Sequence, residues 1–103
     1  MEQLIGQNTA YLKKYLAKVP QSDRSSAAIA VLASLDAISE SFPEIAASIA
    51  KELRDQRSHL KLIASENFSS LPVQLAMGNW MTDKYSEGFV QHRFYAGCEN
   101  VDA

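Results

Sequence analysis

Residues 82–102 read TDKYSEGFVQHRFYAGCENVD, and neither the helical nor the alternating period holds along them. The aperiodic stretch runs from Asn79 to Ala103. Inside a compact domain, a segment of that length without secondary structure points to a functional loop, or to one that leans on protein outside the chain. Tyr85 and Glu87 are separated by one residue, so an extended backbone turns both to the same side. Gly88 permits a backbone turn closed to other residues, and Arg93, Tyr95 and Gly97 follow soon after. Two phenols and a carboxylate in this order can converge on a polar ligand, with Glu87 as acid or base. Tyr and Glu in a loop also serve as plain surface or packing residues.

Upstream of this stretch the composition changes. Residues 61–103 hold six of the nine aromatics and three of the four Gly, whereas Ala and Ser fill residues 1–60. Small residues of that kind suit helices that pack closely, and the break falls near Arg57–Lys61. Leu4, Ile5, Tyr11, Leu12, Tyr15, Leu16 and Val19 recur at helical spacing up to Pro20, with Lys13, Lys14 and Lys18 towards the negative end of the helix dipole. A second helix is expected from Ser22 or Asp23, with Ala28, Val31, Leu32, Leu35, Ile38 and Phe42 as its apolar stripe. Ser41-Phe-Pro-Glu44 has the spacing of a capping box and predicts the start of a third. Ile45, Ile49 and Leu53 form one face of that helix, and Lys51, Glu52, Arg54, Asp55 and Arg57 a solvated one. Ser69-Ser70-Leu71-Pro72 predicts a fourth start, with Gly78 as its C-terminal cap. The expected chain is mainly α: three to four helices followed by an irregular C-terminal segment.

The totals exclude several classes. Ten Lys and Arg against 12 Asp and Glu give a formal net charge of −2, so a surface built on phosphate contacts to nucleic acid is not expected. The lone Cys98 rules out an intramolecular disulfide framework and suits a reducing, cytoplasmic setting. No apolar run approaches the roughly 20 residues of a membrane span, and no signal peptide is expected at the start. His59, His92 and Cys98 match no common metal-ligand spacing, and no metal site is expected. No Gly-rich phosphate loop is present.

Three blocks carry a resemblance. LIASENF (62–68), TDKYSEGF (82–89) and HRFYAGCENVD (92–102), with QLAMGN (74–79) between the first two, resemble serine hydroxymethyltransferase in order and in spacing. The likeness covers roughly residues 54–103. Residues 1–50 do not match the family's common short N-terminus, so residues 1–57 read as a helical extension and 58–103 as the first, truncated part of a catalytic region. The resemblance implies the N-terminal part of an α/β pyridoxal-phosphate enzyme of the aspartate-aminotransferase-like fold, acting as a homodimer. Such an enzyme interconverts serine and glycine and passes the one-carbon unit to tetrahydrofolate.

By that resemblance Ser65 lies near the cofactor and the substrate amino acid. Tyr85 hydrogen-bonds the cofactor phosphate, in the partner subunit's site. Glu87 handles the proton of the serine hydroxyl near the folate, a task that partial burial assists. Tyr95 stands by cofactor and substrate and helps position the latter. The family's usual Tyr-Pro-Gly-Lys is Phe89-Val90-Gln91-His92 here, which predicts a changed path for that loop. Phe94 replaces a Tyr and supplies no hydroxyl, and Ser86 and Ala96 replace Ala and Gly. The lysine that carries the cofactor, the Asp that partners its pyridine nitrogen and the Arg that holds the substrate carboxylate have no counterpart here, so the isolated chain is expected to be inactive. The HRFYAGCENVD block normally runs on into a helix. The alternative reading is a non-catalytic helical interaction module, or a pseudo-enzyme fragment, in which residues 1–57 form a small bundle.

Overall fold

The structure, a computed structural model, describes residues 10–103, and its contacts divide the chain after Leu71 into two units. In the first unit, helix α1 (Tyr11–Lys18) buries Tyr11 and Tyr15, one turn apart. The expected beginning of this helix at Leu4 and Ile5 lies outside the described residues. Val19 and Pro20 end it. Arg24 then folds back over the exposed carbonyls of its last turn, donating from Nε to Val19 O (3.0 Å) and from Nη2 to Leu16 O (2.9 Å).

Helix α2 (Ser26–Ser41) begins later than the sequence predicts. Ser22 and Asp23 are taken up in a short 3₁₀ turn (Gln21–Asp23), and Ser25 supplies the cap, its Oγ accepting from Ala28 N at 3.3 Å. Ala28, Leu32 and Leu35 are buried and Val31 and Ile38 pack partly against them, as the apolar stripe predicts. Phe42, the last member of that stripe, is exposed because it has become the joint between two helices. Its N–H donates to Ile38 O, and its carbonyl accepts from Ile45 N and Ala46 N (both 3.1 Å). One residue thus closes α2 and opens α3 (Pro43–Ser58), with Pro43 in the first turn. The predicted capping box does not form, because Ser41 is still inside α2.

The face that α3 turns inward is also not the predicted one. Ala46 and Ala50 are buried with Leu53 packed beside them, whereas Ile45 and Ile49 are 53% and 43% exposed. A row of alanines lets two helix backbones approach closely, and α2 packs on this row. The charged face behaves as expected: Lys51 pairs with Asp55 at 2.8 Å and Lys61 with Glu52 at 3.8 Å, all near solvent.

The start of α1 depends on α2. Ala10, in the left-handed region at φ 78°, offers no side-chain cap. Asp36, in the middle of α2, accepts instead from the N–H groups of Ala10 (3.1 Å), Tyr11 (2.7 Å) and Leu12 (3.2 Å). A carboxylate at the positive end of the helix dipole thereby satisfies three amide groups that the helix itself leaves free.

Helix α4 (Leu71–Met77) starts at the last residue of the first unit; it ends in the second without the expected glycine cap, and Gly78 is not left-handed. Asn79 takes that place: its Nδ2 donates to Ala76 O (2.6 Å), and its Oδ1 accepts from Met81 N (2.9 Å) at the start of a 3₁₀ turn (Trp80–Asp83). The aperiodic stretch then folds into a minimal antiparallel hairpin, β1 (Gly88–Phe89) with β2 (His92–Arg93), followed by a short helix α5 (Glu99–Asp102). Gly88 opposes Arg93 and Phe89 opposes His92. The two-residue turn Val90-Gln91 keeps glycine-like geometry without glycine, since Gln91 has φ 63°. The Asp102 carboxylate secures it, accepting from Gln91 N (3.0 Å) and Arg93 Nε (2.7 Å). These bonds, the Gln91 amide first and the Arg93 side chain second, hold the Asp102 carboxyl below its ordinary range. The described residues are mainly helical, as the sequence predicts, and none of their helices is long and apolar enough to cross a membrane.

Two outcomes follow from these contacts. Asp36→Ala strips three amides of their charged acceptor and is expected to cost about 2 kcal/mol in urea unfolding followed by helical circular dichroism; Asp36→Asn, which keeps one acceptor oxygen, costs less. Asp102 titrates lower when folded than unfolded, so its support for the hairpin is complete above the ordinary carboxylate range and is lost as pH falls through the folded value. The protection factor of the Gln91 amide, with the intrinsic pH dependence of exchange divided out, is therefore expected to be flat from neutral pH to about pH 5 and to fall below about pH 4. In Asp102→Asn this acid-side fall disappears.

Candidate functional site

Three of the four residues singled out by sequence belong to the second unit, and two of them, Tyr85 and Tyr95, meet there. The rings of Tyr85 and Tyr95 meet edge to face, with centroids 5.5 Å apart and planes at 68°. Glu87 lies between them in sequence, two residues from Tyr85 and exposed. Both phenols are open to solvent, Tyr85 at 68% and Tyr95 at 48% exposure. The fourth residue, Ser65, belongs to the first unit. It sits in an exposed turn closed by Glu66 N donating to Ile63 O at 3.1 Å. The Glu87 side chain is exposed, while its carbonyl accepts from Phe94 N.

The backbone that carries Tyr85 and Glu87 is held carbonyl by carbonyl. Tyr85 O accepts from the thiol of buried Cys98 at 3.5 Å. Ser86 O accepts from Arg93 Nη1 at 2.6 Å, and Gly88 O from the same nitrogen at 3.2 Å. Between them, Glu87 O accepts from Phe94 N at 2.9 Å. Residues 93–98 thus supply a donor to every carbonyl from 85 to 88. Arg93 is fixed in turn by Asp102, with Nη2 also 2.7 Å from Oδ1, and both side chains are largely withdrawn from water. Glycine is required at position 88: φ is +114°, and a Cβ there would run into the carbonyl oxygen of His92 across the hairpin.

Beside this scaffold lies an open cavity of about 480 Å³, lined among others by Arg93, Tyr95, Cys98 and Asp102. Its size suits a small polar molecule. Phe94 is exposed, and its ring carries no hydroxyl. Among the described residues no group of three His, Cys, Asp or Glu side chains is placed to hold a metal ion. What sequence reasoning missed is the supporting set. Arg93, Cys98 and Asp102 stand in the third motif block, but nothing in their spacing announces that they grip residues 85–88. The one available signal was an Arg in a Gly-bearing loop with an unassigned Asp nearby.

Comparison with known proteins points to one family. The family model described as serine hydroxymethyltransferase matches residues 38–103. The serine hydroxymethyltransferase of Treponema pallidum is 54% identical over 96 residues, which is 93% of this chain and 17% of that protein. That of Chlamydia muridarum is 58% identical over 96 residues, 92% of this chain and 19% of the relative. That of Chlamydia pneumoniae is 61% identical over 80 residues, 78% of this chain and 16% of the relative. The chain therefore spans less than a fifth of the length of these curated relatives. Alignments of 96 residues take in most of residues 1–57, so the helical segment has counterparts in those proteins. No solved structure matches it. With its family model covering well over half the residues and relatives of this identity, the chain belongs to the serine hydroxymethyltransferase family.

Proposed function

We propose that this chain is the N-terminal portion of a pyridoxal-phosphate-dependent serine hydroxymethyltransferase, interconverting serine and glycine with transfer of the one-carbon unit to tetrahydrofolate. The observation that carries the reading is the pairing of Tyr85 with Tyr95, flanking an exposed Glu87 on a backbone whose carbonyls are all engaged. The donor set fits the phosphate end of the cofactor: Tyr85 offers a neutral phenol on a fixed backbone, and phosphate oxygens accept from neutral donors as well as from cations. When bound, the cofactor supplies the electron sink for chemistry at the amino-acid α-carbon.

The chain's own residues then have distinct tasks. Tyr85 binds and orients the phosphate, in the site of the partner subunit of a homodimer. Glu87 holds and moves the proton of the serine hydroxyl at its carboxylate, next to the folate. Tyr95 limits the freedom of the Tyr85 ring through their edge contact and positions the substrate. Ser65, from the LIASENF block, lies near the cofactor and the amino acid. The cofactor lysine, the partner of the pyridine nitrogen and the arginine for the substrate carboxylate come from sequence other than these 103 residues, within an aspartate-aminotransferase-like fold. Residues 1–57 form a helical extension ahead of that catalytic region. The enzyme works in the cytoplasm, with no nucleic-acid or membrane partner.

Two measurements test the reading. The 103-residue chain alone, mixed with pyridoxal phosphate, is expected to give no cofactor absorbance band beyond that of the free compound and no serine turnover. In the full-length enzyme, Glu87→Gln is expected to lower tetrahydrofolate-dependent serine cleavage by about 10²–10⁴-fold, the usual contribution of a positioned acid or base. An unchanged rate in that variant refutes the role given to Glu87.

A further inference from the structure

Within the proposed site, one side chain grips the backbone on both sides of Glu87. The Arg93 guanidinium donates to the carbonyls on either side of Glu87, those of Ser86 (2.6 Å) and Gly88 (3.2 Å). Its other face is occupied by the Asp102 carboxylate, from Nε and Nη2, both at 2.7 Å. Asp102 also accepts from Gln91 N and so ties the hairpin turn to the same cluster. We propose that Arg93, oriented by Asp102, is the positioning residue for Glu87 and Tyr85: it sets the backbone from which both side chains project and so determines where the carboxylate meets the substrate hydroxyl. This inference rests on the roles given to Tyr85 and Glu87 above.

Four physical points support it. The hairpin is only two residues per strand, so it has no ladder long enough to hold residues 85–88 by backbone pairing. The forked guanidinium is the side chain that can serve two carbonyls and a carboxylate from one plane, which a lysine ammonium does not reproduce. Arg93 and Asp102 are also mostly shielded from water, at 16% and 13% side-chain exposure, so the pair is less screened than a surface ion pair. Glu87 itself is exposed, so its placement depends on its backbone and not on side-chain packing.

The test uses the full-length enzyme with Arg93→Gln, Arg93→Lys and Asp102→Asn. Arg93→Gln is expected to lower kcat for folate-dependent serine cleavage by about 10²-fold, the cost of displacing a reacting group by about an ångström, with KM for serine within twofold. Arg93→Lys restores only part of the loss, and added guanidinium at millimolar concentration raises kcat of Arg93→Gln more than sodium at equal ionic strength does. A readout independent of turnover comes from the 103-residue chain, where Arg93→Gln is expected to shift the Tyr85 and Tyr95 ring proton resonances while those of Tyr11 and Tyr15 stay in place. Parental kcat in Arg93→Gln overturns the proposal, as does a loss expressed in KM alone. If Arg93→Gln fails to fold, Arg93→Lys and Asp102→Asn decide: parental kcat in both overturns it, and a lowered kcat at unchanged KM supports it. Should Glu87→Gln prove silent while Arg93→Gln lowers kcat, the role of Glu87 fails; should Glu87→Gln be slow and Arg93→Gln parental, only the positioning role fails.

Discussion

The second unit is organised by the ion pair between Arg93 and Asp102. Around it, 32 residues contain all but the first residue of α4, a short 3₁₀ turn, a hairpin of two residues per strand and a single closing turn of helix. So little regular structure leaves backbone groups without partners, and buried amides and carbonyls must find them elsewhere. Here side chains do what a sheet would do. The guanidinium takes two carbonyls, the carboxylate takes the Gln91 amide, the Cys98 thiol takes a third carbonyl, and the backbone bond from Phe94 N takes the carbonyl of Glu87. The arrangement concentrates many constraints in one charged pair. Removing either partner leaves the other shielded and unpaired, which costs more than the pair contributes over a neutral substitute.

The first unit solves a related problem by different means. Three helices with one tight joint at Phe42 have most amides paired internally, and the weak point is the first turn of α1. Asp36 covers it from the neighbouring helix, so the contact that caps α1 also docks it on α2. The hydroxyl of Tyr15 adds a second tie by accepting from Ser25 N at 2.9 Å, which joins the core of α1 to the cap of α2. The unit's packing is then completed by the smallest apolar side chain available, with Ala28, Ala46 and Ala50 buried alongside Leu32 and Leu35. Close packing of this kind gives less apolar area per residue than a leucine-rich core, and the capping bonds carry correspondingly more of the specificity.

How far the sequence could be read follows from the same physics. The existence of the helices was legible because period and breakers are local: Pro20, Pro43 and the α2 stripe sit where the pattern requires. The inward face of α3 was not. Hydrophobicity alone favours Ile45 and Ile49, and the choice of the alanine face depends on how near α2 comes, a tertiary fact. The start of α2 was missed by a few residues because Ser22, Asp23 and Ser25 all have capping chemistry, and only the 3₁₀ turn selects among them. For the site, the identities of Tyr85, Glu87, Tyr95 and Ser65 came from motif wording. The meeting of Tyr85 with Tyr95 could not be read from a spacing of ten, since it depends on a hairpin whose strands are too short to leave a periodic signal.

The same constraint separates the tip of the hairpin from its base. Phe89-Val90-Gln91-His92 forms the tip and flanks of the hairpin turn. The turn still needs a left-handed residue, and Gln91 adopts that conformation at φ 63° although a β-carbon makes it unfavourable by about 1–2 kcal/mol. Asp102 grips position 91 through its N–H, a group that every residue except proline provides, so the grip does not depend on which side chain stands there. By contrast, the roles of Arg93, Asp102 and Gly88 rest on a fork, a carboxylate and the absence of a β-carbon, none of which a neighbouring residue type supplies. The tip is held by its backbone, and the base of the hairpin holds by its side chains.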